Sequence, residues 1–126
     1  MRVLATVAVF GLMLSATPAK ARGKKVTLTG EVLDLVCYFK DPAKGQGPDH
    51  AKCAQKCIHG GLPAGLKVGK KVYLLLGSGH DVVSKKVGKF GGKQATITGK
   101  LIKEGGLPAV LVETAKAAKA KKRGKK

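Results

Sequence analysis

The chain has 126 residues, with Lys+Arg 25 against Asp+Glu 7 and a formal net charge of +18. That length holds one compact domain and leaves no room for a second sizeable core. A hydrophobic content of 44% excludes a wholly disordered chain, and no apolar run reaches the roughly 20 residues of a membrane-spanning helix.

Met1 and Arg2 make a short basic start, and residues 3–14 are apolar but for Thr6 and Gly11. Ser15-Ala16-Thr17-Pro18 breaks the run, and Ala19-Lys20-Ala21 places small residues where a signal peptidase reads them. Residues 1–21 are therefore expected to be a secretory signal peptide, cut after Ala21. The mature protein is then periplasmic or secreted, with no transmembrane segment.

Residues 22–115 are expected to form the folded domain. Residues 26–37, rich in β-branched side chains, read as a strand with Val26, Leu28, Val32 and Val36 on one face. Asp34 shares that parity, so either an acid points inward or a bulge intervenes at Gly30. Residues 47–60 read as a helix, with Pro48 at its first position, Asp49 in its first turn and Gly60 beyond its end. Residues 71–77 read as a strand buried on both faces, and residues 81–87 as a weaker one. Residues 94–103 alternate, with Ala95, Ile97, Gly99 and Leu101 on one face. Glu104-Gly105-Gly106 signals a hairpin turn into a last strand from Leu107 to Glu113. Gly30 and Gly99 sit inside strands, where glycine permits the coiling a small barrel needs. The prediction is a mainly β protein: a small OB-like five-stranded Greek-key barrel with one Cys-containing helix in the first inter-strand connection.

Residues 116–126 are expected to be a disordered basic tail. Its charges suit an anionic envelope polymer or membrane surface. Nucleic acid would attract the same charges, but export makes that partner less available.

The three cysteines carry the chemistry. Cys37, Cys53 and Cys57 cannot pair completely among themselves. On a helix, residues 50, 53 and 57 fall within about 60° of one another, so His50, Cys53 and Cys57 share a face. Cys37 closes the preceding strand, and the connection can fold back to bring it near. Cys37, His50, Cys53 and Cys57 form a candidate Cys₃His metal set for zinc, and thiolates with imidazole also suit copper. His59 is the weaker ligand candidate. Two alternatives stay open. One is a disulfide from Cys37 to Cys53 or Cys57, making a nonenzymatic binding module attached to anionic envelope polymers. The other is thiol-disulfide exchange at Cys53 and Cys57.

Gly30-Glu-Val32-Leu-Asp34-Leu-Val-Cys37, His50-Ala-Lys-Cys53-Ala-Gln-Lys-Cys57 and Gly61-Leu62-Pro63 together resemble a pattern in small exported bacterial proteins with a single OB-like domain. The resemblance covers roughly residues 26–113. It implies that fold and a cysteine cluster, and brings no established activity with it.

The remaining polar residues suggest less. His80 sits in a turn sequence and reads as surface. Asp34 reads as a turn or bulge acid bonding a nearby amide, or as the residue that orients His50. No Ser-His-Asp set or carboxylate pair is legible among the seven acids, so no catalytic residue is assigned.

Overall fold

The computed structural model describes residues 23–119. The expected signal peptide, and residues 120–126 of the expected tail, lie outside the described residues.

The chain runs through β1 (Lys24–Asp34), α1 (Leu35–Lys40), a 3₁₀ turn (Pro48–His50) and α2 (Ala51–His59). It continues through β2 (Ala64–Val68), β3 (Lys71–Gly77), α3 (Ser84–Val87) and a second 3₁₀ turn (Gly88–Phe90). It ends with β4 (Gln94–Glu104) and β5 (Leu107–Ala117). The strands make one mixed sheet in the order β1-β2-β3-β5-β4, and it closes into a barrel because β1 pairs with both β2 and β4. Every pairing is antiparallel except β3 with β5, which run parallel from Leu74↔Ala109 to Gly77↔Val112.

Alternation along the strands fills the barrel. Val32, Leu66, Leu75, Ile97, Val110 and Val112 are fully buried in one cluster, joined by Ile58 from α2 and by Val87 and Phe90. Each such side chain contributes about 1.5–3 kcal/mol of burial. The two strand glycines allow tight coiling. A Cβ at Gly30 would lie 2.2 Å from the Lys67 carbonyl oxygen, and one at Gly99 would lie 2.0 Å from that of Leu111. The β4–β5 register also shifts between Thr98 and Gly99.

Five local expectations need correction. The first strand stops at Asp34, not residue 37, because the Asp34 side chain caps a helix there. Cys37 therefore sits on α1. The strand at Ala64–Val68 was not anticipated, since Ala-Gly-Leu-Lys-Val has one β-branched residue and a glycine. That glycine leaves room for Leu35, whose Cδ2 a Cβ at Gly65 would displace. The stretch 81–87 is helical over Ser84–Val87, with the Lys86 and Val87 amides donating to the Val83 carbonyl at 2.9 and 3.1 Å. Val83 and Val87 pack on the core four residues apart, a helical rather than a strand spacing. β3 is not buried on both faces, for Leu75 is 1% exposed and Leu76 40%. Finally, β5 runs past residue 115, with Lys116 opposite Thr96 and Ala117 opposite Ala95. β4 offers partners that far, so the ladder carries the chain beyond the composition change at Ala115.

Candidate metal centre

Two helices bear the cysteines, where one was expected, and both lie between β1 and β2. Asp34 ends β1 fully buried, and its Oδ1 accepts from the Val36 amide at 2.9 Å and the Cys37 amide at 3.5 Å. This cap satisfies the first free donors of α1 and fixes where Cys37 projects. The Leu35 amide donates to the Pro63 carbonyl at 3.0 Å, which ties the start of α1 to the chain leaving α2.

The loop between the helices folds back. Asp41 Oδ1 accepts from the amides of Ala43 and Lys44 at 3.1 and 3.2 Å. Gly45 rests on the α1 backbone, where a Cβ would meet the Cys37 carbonyl at 2.6 Å. Gly47, at φ +86°, donates its amide to Glu31 Oε1 and turns the chain into Pro48-Asp49-His50. These contacts bring His50 alongside Cys37.

α2 buries Ala51, Ala54 and Ile58 against the domain. Gly91 and Gly92 let it approach: a Cβ at Gly92 would lie 2.5 Å from Ala51 Cα, and one at Gly91 would lie 2.8 Å from the Gln55 amide nitrogen. With that face buried, Cys53 and Cys57 project one turn apart on its flank, their Sγ atoms 4.0 Å from each other. The helix ends at Gly60 and Gly61, where the Leu62 amide donates to the Cys57 carbonyl at 3.0 Å and Gly61 takes φ +98°.

The three Sγ atoms of Cys37, Cys53 and Cys57 all lie within 4.8 Å of one another. Asp34, Cys37 and His50 form a second group within the same limit. Cys37 belongs to both. The structure thus brings the expected thiols together and places His50 beside Cys37, with Asp34 as a further member. His59 and His80 belong to neither group, and His59 instead packs over Gly88. Sequence reasoning undervalued Asp34; its signal was an N-cap aspartate one residue before an apolar helical turn.

Two buried polar atoms in this region have no hydrogen-bond partner, Asp34 Oδ2 and His50 Nε2. Buried polar atoms without a partner are rare, so these two single out the side of the cluster formed by Asp34 and His50. The thiols feel the carboxylate. The Asp34 carboxylate beside the thiol is the largest cause that pushes Cys37 up to about 12, with burial next. Cys57 is raised too, by burial first and then by Asp34 and Cys53. Both shifts favour the protonated thiol, and all three cysteines are free. Cys53 is the exposed one; Cys37 and Cys57 are half-buried. Either three-residue group could hold a metal ion, whose positive charge would offset the penalty on thiolates beside Asp34.

Comparison with protein-family models, with curated proteins and with solved structures found no match.

Proposed function

We propose that the protein binds one thiophilic metal ion, zinc or Cu(I), through Cys37, Cys53 and Cys57 with His50 as fourth ligand. The convergence of three Sγ atoms within 4.8 Å carries this reading. The unpartnered His50 Nε2 supports the fourth position. Zinc accepts Cys₃His as a closed structural set, and Cu(I) favours soft thiolates. No catalytic step is assigned. The OB-like assignment belongs to the same proposal, supported by the order β1-β2-β3-β5-β4 and the parallel β3–β5 pair. So do export, on the strength of residues 1–21, and adhesion of the basic C-terminal residues to anionic envelope polymers or membrane.

The test is competition against a chromophoric chelator, with the full chain under reducing conditions, using zinc and Cu(I) separately. Tight one-to-one binding supports the reading. It fails if the chain binds neither metal more tightly than a Cys53→Ser, Cys57→Ser double variant.

One observation favours a second reading. The 4.0 Å approach of Cys53 and Cys57 Sγ leaves a short path to a disulfide, with Cys53 open to solvent. A bond one helical turn apart is strained and easily reduced, which suits thiol exchange. Thiol titration of protein prepared without reductant separates the two: one free thiol and no metal favours the disulfide.

A further inference from the structure

α1 has a second face, turned away from the cysteines. Leu35, Val36, Phe39 and Lys40 form one wall of a surface cavity of about 590 Å³, and Val72, Leu74 and Leu107 help form the others. That volume lies within the range of small-molecule sites, roughly 300–1,000 Å³. Phe39 is 71% exposed and Leu107 55%, large apolar side chains left facing water around the opening. Among the described residues of this wall, Lys40 carries the one charge. Beyond Val72 the surface continues into a second cavity of about 400 Å³ that is flanked by Lys71 and Lys103.

We propose that this cavity binds a single-chain anionic amphiphile, a long-chain carboxylate, with its alkyl chain along Phe39, Val72 and Leu74 and its head group at Lys40. The cavity chemistry selects that class. Its wall offers an extended apolar contact and a lone cation, so it suits a ligand that is greasy along its length and negative at one end. A sugar or nucleotide would leave its many polar groups unpaired there. A cationic amphiphile would meet Lys40, and the lysines of the neighbouring cavity beyond Val72, with the wrong sign.

The experiment uses the full, reduced chain and laurate below its micelle concentration, followed by calorimetry. Dodecanol and dodecyltrimethylammonium are run as matched uncharged and cationic probes. Saturable one-to-one binding of laurate, tighter than both, is expected. Lys40→Gln should weaken laurate by up to about fivefold, the upper end for one exposed charge pair, and leave dodecanol unchanged. Phe39→Ser, at an exposed position that should not disturb folding, should weaken both by about tenfold. Val82→Ser removes another exposed apolar side chain, outside the cavity lining, and should change neither. The proposal is overturned if laurate shows no saturable binding, or binds no better than the cationic probe. It is also overturned if Phe39→Ser leaves laurate binding intact. Self-association through this face, seen as a concentration-dependent sedimentation coefficient lost in Phe39→Ser, would assign the surface to a second copy of the chain instead. Binding of Phe39-dependent protein to anionic vesicles without binding of monomeric laurate would assign it to a membrane.

Discussion

Asp34 holds Cys37 by both ends: its Oδ1 accepts the Cys37 amide at 3.5 Å, and its carboxylate stands against the Cys37 thiol. The first contact positions the side chain; the second keeps it protonated, up to about 12. In the proposed metal site, a residue that both aims Cys37 and resists its ionisation would make binding depend on the arrival of positive charge.

Asp34→Asn should separate these roles. The amide oxygen can still cap α1, so stability should stay close to wild type, whereas Asp34→Ala should cost about 0.5–2 kcal/mol through loss of the cap. Asparagine removes the negative charge, so Cys37 should ionise at lower pH. Alkylation rate against pH, followed at Cys37 by mass spectrometry, should show its midpoint moving down. An unchanged midpoint would assign the raised thiol to burial instead.

The metal-free, reduced protein should lose stability in alkali. A thiol with a raised folded-state pKa favours the folded state wherever it remains protonated. That contribution is whole below the ordinary value of 9.0 and is lost as pH rises from there toward about 12. The urea midpoint should therefore fall between pH 9 and 11 more steeply in wild type than in Cys37→Ser. Parallel curves for the two would refute this.

Metal affinity should move the opposite way. Thiols must ionise to ligate, so lowering the pH below neutrality should weaken binding and release of protons should accompany uptake. Cys37→Ser and Cys57→Ser should each weaken zinc or Cu(I) by about a hundredfold or more, beyond the 10–100-fold typical of outer partners. His59→Ala and His80→Ala should change affinity little. Chelator competition at several pH values reads all of these.

The strand glycines give a prediction independent of the cysteines. Gly30→Ala and Gly99→Ala should each destabilise by about 1–3 kcal/mol, since the added carbon meets a backbone oxygen that cannot swing away. Gly79→Ala, whose nearest neighbour would be Asp81 Oδ1 at 3.7 Å, should be close to neutral. Chemical denaturation of the three variants decides it; equal stability would mean the barrel relaxes freely around the new carbons.

The parts legible in the sequence were those carried by one local period. The alternation of Ala95, Ile97 and Gly99 announced β4, and the spacing of Cys53 and Cys57 announced one flank of one helix. Residues 35–40 were not legible as a helix because Leu-Val-Cys-Tyr-Phe reads as strand by propensity. A single buried cap at Asp34 overrides that. Ala64–Val68 failed for the converse reason: it is a strand because β1 and β3 flank it, not because of its own residues. The placement of His50 depended on Gly45 fitting against Cys37 and on Gly47 reaching Glu31, contacts between segments that no periodicity encodes.

The parallel pairing of β3 with β5 joins Gly77 to Val112, and the whole α3–β4 stretch lies between them in sequence. A chain holding only β1, β2 and β3 can form their antiparallel meander, but β3 then keeps a bare row of amides and carbonyls until β5 arrives beside it. Such high contact order slows folding, and the waiting edge is a template for a neighbour's strand. Nascent or truncated chains that stop short of β5 should therefore be the species most prone to aggregate, whatever happens at the cysteines.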